Sequence, residues 1–239
     1  MLFGRIAWIV GIIIAAGAIA VGLSIWPPAI SVLGVVALAL IGVKGSNFLH
    51  DRGFSHSISR RFAPTFGGLA YLASVTLLDV WVAVAVSTAM TVFITLLRLV
   101  FRSGLRGVKG THSAQAWAEI TYPLAGTLGL VVGWGILGDK WLAFVPIAFM
   151  AWGDTASGLI RDTTSTNRAP SLVSISAMLA VCVVVAAIFF RPFWIGVTGG
   201  AVATLAERYR PGILGFWDDN LYIVAASLAV MAVLSRIWA

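Results

Sequence analysis

The chain has 239 residues, of which 60% are hydrophobic and only 10% charged, and its mean hydropathy is +0.99. So few charges cannot cover a water-soluble domain, which excludes a soluble enzyme and points to an all-α, polytopic membrane bundle. Sixteen Lys and Arg stand against nine Asp and Glu; in a membrane chain that excess orients the spans and meets anionic headgroups, so no nucleic-acid partner is expected.

Apolar runs of spanning length, cut at polar breaks, predict about nine membrane helices, near 6–26, 29–43, 64–78, 80–98, 117–137, 141–160, 171–190, 193–206 and 220–238. The first is too long for a signal-peptide core and reads as a retained span. The whole chain, 1–239, reads as one integral membrane domain, a two-span hairpin over 1–43 followed by a core over 60–239. The loops alternate in character. Lys44 to Arg61, Arg98 to Trp117, Arg161 to Pro170 and Glu207 to Asp219 read as long basic loops, whereas Trp26-Pro27-Pro28, Asp79, Gly138-Asp139-Lys140 and Arg191-Pro192 are minimal. With Arg5, the long set carries thirteen of the sixteen Lys and Arg, so the positive-inside rule puts the N-terminus and these loops in the cytoplasm. The single Cys182 excludes a disulfide within the chain.

Five of the nine acids fall in three polar clusters, all on the side expected to be cytoplasmic. A carboxylate near the bilayer centre costs about 2.5–3.5 kcal/mol on insertion scales, so acids kept there suggest a site for a cation, a proton or a metal-bound phosphate. In Gly153-Asp154-Thr155-Ala156-Ser157-Gly158 the helical face of Asp154 also carries Ser157, Gly158 and Arg161. That face is either a ligand surface, with Asp154 holding a divalent cation, or a packing seam in which Arg161 satisfies Asp154. Asp218, Asp219 and Asn220, after Glu207, are hard oxygen ligands of the kind magnesium takes, or caps that open the last span. Glu119, behind the interfacial anchor Trp117, is a first-turn acid or a general base. Arg60 and Arg61 meet phosphates or lipid headgroups. His50, His56 and His112 lack zinc spacing, and neither a Walker A nor a Gly-x-Ser-x-Gly sequence is present.

From about Arg60 onward these motifs, in their order, resemble the dolichol and polyprenol kinase family, which includes phytol kinases and CTP-dependent diacylglycerol kinases. The resemblance runs through Arg60-Arg61, Gly153 to Gly158, Asn167-Arg168 with Ser174-Ile175-Ser176-Ala177-Met178, and Glu207 with Asp218-Asp219-Asn220. The segment after Asp154 departs from the family by lacking its glycine- and lysine-rich stretch. The resemblance implies a CTP-dependent kinase that phosphorylates the terminal hydroxyl of an isoprenoid alcohol at the cytoplasmic face, with Mg2+ and with ATP as an alternative donor. Asp154, Glu119 and Glu207 would be catalytic. Asp154, Glu207, Asp218, Asp219 and Asn220 would hold the metal. Arg60, Arg61, Ser157, Gly158, Arg161, Asn167 and Arg168 would bind the nucleotide phosphates. Phosphatidate cytidylyltransferases share the Gly-Asp-Thr-Ala turn, so transfer of a cytidylyl group to lipid is the first alternative. A small cation- or proton-coupled transporter is the second.

Overall fold

A computed structural model describes residues 28–100, 105, 107–108, 117–164, 171–209 and 219–238. The expected first span lies outside them. The described residues are all-helical, without strands. Helix α1 is Pro28–Asp51, α2 His56–Leu77, α3 Val80–Val100, α4 Ala118–Gly129, α5 Lys140–Ala148, α6 Asp154–Thr164, α7 Leu172–Phe189, α8 Phe193–Tyr209 and α9 Asp219–Trp238. A π-helical segment, Leu130–Ile136, extends α4, and another, Phe149–Gly153, joins α5 to α6 without a break. Five stretches are long and apolar enough to cross a membrane, namely Ala29–Asp51, Val80–Val100, Lys140–Thr163, Leu172–Phe189 and Asp219–Trp238, which points to a membrane protein. The expected spans over 64–78, 117–137 and 193–206 are helical but fall outside that set.

The chain divides into two compact units, 1–109 and 110–239. In the first, the long basic loop expected between Lys44 and Arg61 is mostly helix. Nothing from Lys44 to Asp51 breaks a helix, and the turn is confined to 52–55, where Gly53 takes a positive φ of 83° and Ser55 caps α2 through Ile58 N. Arg60 and Arg61 therefore lie inside α2. The hairpin expected to end at residue 43 instead continues into a closely packed α1–α2 pair. Ser46 Oγ donates to the Ser59 carbonyl at 2.6 Å, and Asn47 Oδ1 accepts from Gly107 N at 2.8 Å. Between α2 and α3, Tyr71 and Ser87 share a buried hydroxyl hydrogen bond of 2.8 Å.

The second unit is built around α5 and the segment that follows it. Every residue from Leu142 to Ala151 is buried, and α5 packs against α4, α7, α8 and α9. Asp139 starts it by accepting from Trp141 N and Leu142 N. Small residues let the helices approach. Cβ atoms built on Gly129 and Gly133 would meet Ile147 and Ala143, so α4 runs antiparallel to α5. Gly196 and Gly200 face Ala186 and Cys182, and Gly199 faces Met231. At Gly133 the clash is with backbone, 2.6 Å from both Ala143 Cα and N. Gly133→Ala should therefore destabilise by about 1–3 kcal/mol, read as a lower thermal midpoint in detergent, whereas Gly34→Ala, with nothing within 4 Å, should not.

Candidate functional site

The polar residues of the second unit gather where α4 and α9 begin and where α6 and α8 end. Arg161 Nη1 on α6 donates to Glu207 Oε1 on α8 at 2.5 Å, with side-chain exposures of 6% and 0%. The alternative in which Arg161 satisfies Asp154 gives way to this pairing across two helices. Helix α8 was expected to stop at 206; it continues to Tyr209, and this extra turn carries Glu207 into the bundle. Two charges removed from water persist only when paired and hydrogen-bonded, so the ion pair ties the ends of α6 and α8 together.

Asn220 joins the other two helices. Its Nδ2 donates to the Ala118 carbonyl and to Thr121 Oγ1, both at 3.2 Å. The start of α9, with buried Asp219, is thus held against the first turn of α4, with buried Glu119. Nδ2 is a donor and cannot bind a metal, so Oδ1 is the Asn220 atom of the kind a cation takes. Replacing Asn220 with Leu removes both bonds and should cost about 1–3 kcal/mol, measured as a loss of thermal stability that Asn220→Asp does not repair, since a carboxylate cannot donate to a carbonyl.

The helix register relates the two groups. Trp194 meets Trp238, and Gly199 faces Met231, so α8 and α9 are antiparallel. The Glu207 end of α8 therefore lies within about one turn of the Asp219 end of α9. Along α6, Gly153 packs on Cys182, which in turn packs on Gly200, while Arg161 reaches Glu207. Hence α6 and α8 run parallel, with Asp154 about 10 Å deeper along the axis than Arg161 at 1.5 Å per residue. The antiparallel α4–α5 register puts Glu119 at the depth of the Asp154–Ser157 turn.

On α6 itself, Ser157, Gly158 and Arg161 are buried, Asp154 is half-buried with Oδ1 inside, and Asp162 and Thr163 are exposed. The face expected from the i, i+3, i+4 and i+7 spacing is thus the inward one. Immediately before it, Gly153 leaves room for Cys182 Sγ and Met178, 3.1 and 3.3 Å from where a Cβ would stand. Ser174 serves the fold, closing a capping box with Ser171 at the start of α7. Two residues of this region carry no sequence signal for function. Thr121 takes the Asn220 bond, and Thr155 is buried beside Asp154.

Arg60 and Arg61 belong to the first unit; Arg61 is buried, and its carbonyl accepts from Thr65. Asn167, Arg168 and Asp218 lie outside the described residues. Among the described residues, no three His, Cys, Asp or Glu side chains converge into a metal-holding set. Magnesium commonly takes only one or two carboxylates, completing its shell with water and substrate phosphates. Glu119 and Asp219, each buried in the first turn of a helix that the Asn220 bonds join, are ligands of that kind. A cation at Glu207 would have to compete with the Arg161 guanidinium. Comparison of the chain with family models, with curated proteins and with solved structures finds no match.

Proposed function

We propose that this protein is a membrane-embedded lipid kinase that transfers the γ-phosphoryl group of a nucleoside triphosphate, CTP by resemblance, to the terminal hydroxyl of an isoprenoid alcohol. One observation carries the reading. An otherwise apolar helix bundle buries Glu119, Glu207, Asp219, Asn220 and Arg161 at the ends of four helices, with Asp154 about two turns deeper than Arg161 on α6. Phosphoryl transfer needs positioning and charge neutralisation more than covalent chemistry from the protein, and a lipid acceptor needs them at the mouth of a bundle.

In this reading Asp154 or Glu119 takes the proton of the acceptor hydroxyl. Asp219 and Glu119, with Asn220 Oδ1 and Asp218, would hold Mg2+, which when bound spreads the charge of the phosphates. The Arg161–Glu207 pair holds α6 in place, and Arg168 is the remaining cation of this unit assigned to the nucleotide. The site faces the cytoplasm, as the basic loops require.

Purified protein incubated with Mg2+, a prenol mixture and CTP labelled at the γ-phosphate should yield labelled lipid. Label entering lipid only from α-labelled CTP would replace the reading with cytidylyl transfer. No labelled lipid from prenols or diacylglycerol, with ATP also supplied, would remove it.

A further inference from the structure

Among the described residues, buried serines are hydrogen-bonded with one exception. Ser46, Ser59, Ser74, Ser174 and Ser227 donate to carbonyls, and Ser87 shares a bond with Tyr71. Ser157 is 0% exposed, and its Oγ is buried with no hydrogen bond. Burying a hydroxyl without a partner lowers stability, so a ligand that engages Ser157 recovers what its burial costs.

The setting of Ser157 decides the kind of ligand. Asp154 stands one turn earlier on α6, and at about 100° per residue the two are about 60° apart round the axis. Side chains at i and i+3 have Cβ atoms about 5–6 Å apart, close enough for one ion to touch both. A Glu and a His at that spacing on one helix bind metal together in di-iron bundles. Arg161, the cation expected to satisfy Asp154, is committed to Glu207. Gly158, about 40° to the other side of Asp154, adds no side chain. Asp154 is half-buried while Gly153, Thr155, Ser157 and Gly158 around it are buried, so the middle of the inward arc is its open part. Thr155 Oγ1 is likewise buried without a hydrogen bond, but it lies about 160° round the helix from Ser157 and cannot share a small ligand with it.

A carboxylate with a neutral hydroxyl beside it is a pair of hard oxygen ligands. Magnesium takes one or two carboxylates and fills its shell with water and phosphate oxygens. A Ser or Thr hydroxyl together with an Asp holds it in P-loop NTPases. An anion at the same place would meet the like charge of Asp154.

We propose that the Asp154 carboxylate and Ser157 Oγ ligate one divalent cation of the magnesium class. The site deepens the kinase reading and rests on it only for the use of the ion. It gives Ser157 a metal rather than a phosphate, and it leaves the proton of the acceptor hydroxyl to Glu119.

The full chain in detergent is titrated with Mn2+ in the absence of nucleotide, and bound ion is read from loss of the electron paramagnetic resonance signal of free Mn2+. Wild type should bind a Mn2+ that Mg2+ displaces and that Asp154→Asn loses. Ser157→Ala should weaken it about tenfold, whereas Thr163→Val, on the exposed side of α6, should not. Ser157→Cys should bind Cd2+ about tenfold or more tighter than wild type does, because sulfur is a softer ligand than oxygen. That gain separates ligation from a structural role. Weaker Mn2+ binding in Ser157→Ala without a Cd2+ gain in Ser157→Cys would mean that the hydroxyl acts through the fold, and would overturn the proposal. So would an unchanged Mn2+ affinity in Ser157→Ala, or a wild type with no bound Mn2+ that depends on Asp154. Ion binding that depends on both residues, with no phosphoryl transfer to any lipid alcohol in wild type, would uphold the site and remove the kinase reading. Transfer in wild type with Mn2+ affinity unchanged in Ser157→Ala would do the reverse.

Discussion

Arg161→Met should unfold well before wild type, losing about 3–5 kcal/mol, because it leaves the Glu207 carboxylate in a low-dielectric interior without the guanidinium that faces it at 2.5 Å. Glu207→Met alone should cost a similar amount by stranding Arg161. Arg161→Met combined with Glu207→Met should recover most of that loss, since two apolar side chains of similar volume need neither desolvation nor pairing. The readout is the thermal or denaturant midpoint of all four proteins in one detergent, analysed as a double-mutant cycle. Additive losses would show that the two charges are not coupled. Arg161→Lys separates charge from shape, retaining the positive charge while losing the planar donor, and should fall between wild type and Arg161→Met.

Asp154→Asn should abolish transfer of label from γ-labelled CTP to prenol, lowering turnover by about 100- to 10,000-fold while shifting the thermal midpoint little. The amide keeps the size of the carboxylate but cannot take up the proton and, being neutral, holds a cation far more weakly. Asp154 is half-buried on the inward arc of α6, directly after the π-helical segment and away from the Arg161–Glu207 pair, so its replacement leaves that tie intact. Raising Mg2+ should restore part of the activity if Asp154 acts through the metal, and none if it takes the proton. An active Asp154→Asn protein would move the catalytic assignment to Glu119.

Length and hydropathy were enough to place the helices. The expected spans from 29–43 onward match or lie inside observed helical segments to within a residue at each end, because a long apolar run has few other ways to satisfy its backbone. The helix ends were harder to read. Lys44 to Asp51 and Glu207 look like loop by their polarity, yet continue as helix. Polarity marks where a chain leaves an apolar environment, whereas a helix ends only where a cap or a turn replaces its hydrogen bonds.

The same distinction runs through the site. The sequence by itself determined an all-helical membrane chain and which scarce acids to follow, since apolar length and the expense of burying a carboxylate are properties of residues taken singly. It also determined the inward face of α6, which follows from helical spacing alone. Only the tertiary structure decided that Arg161 pairs with Glu207 rather than with Asp154 and that Asn220 locks the start of α9 to α4. Each of these depends on how helices distant in sequence are set against one another.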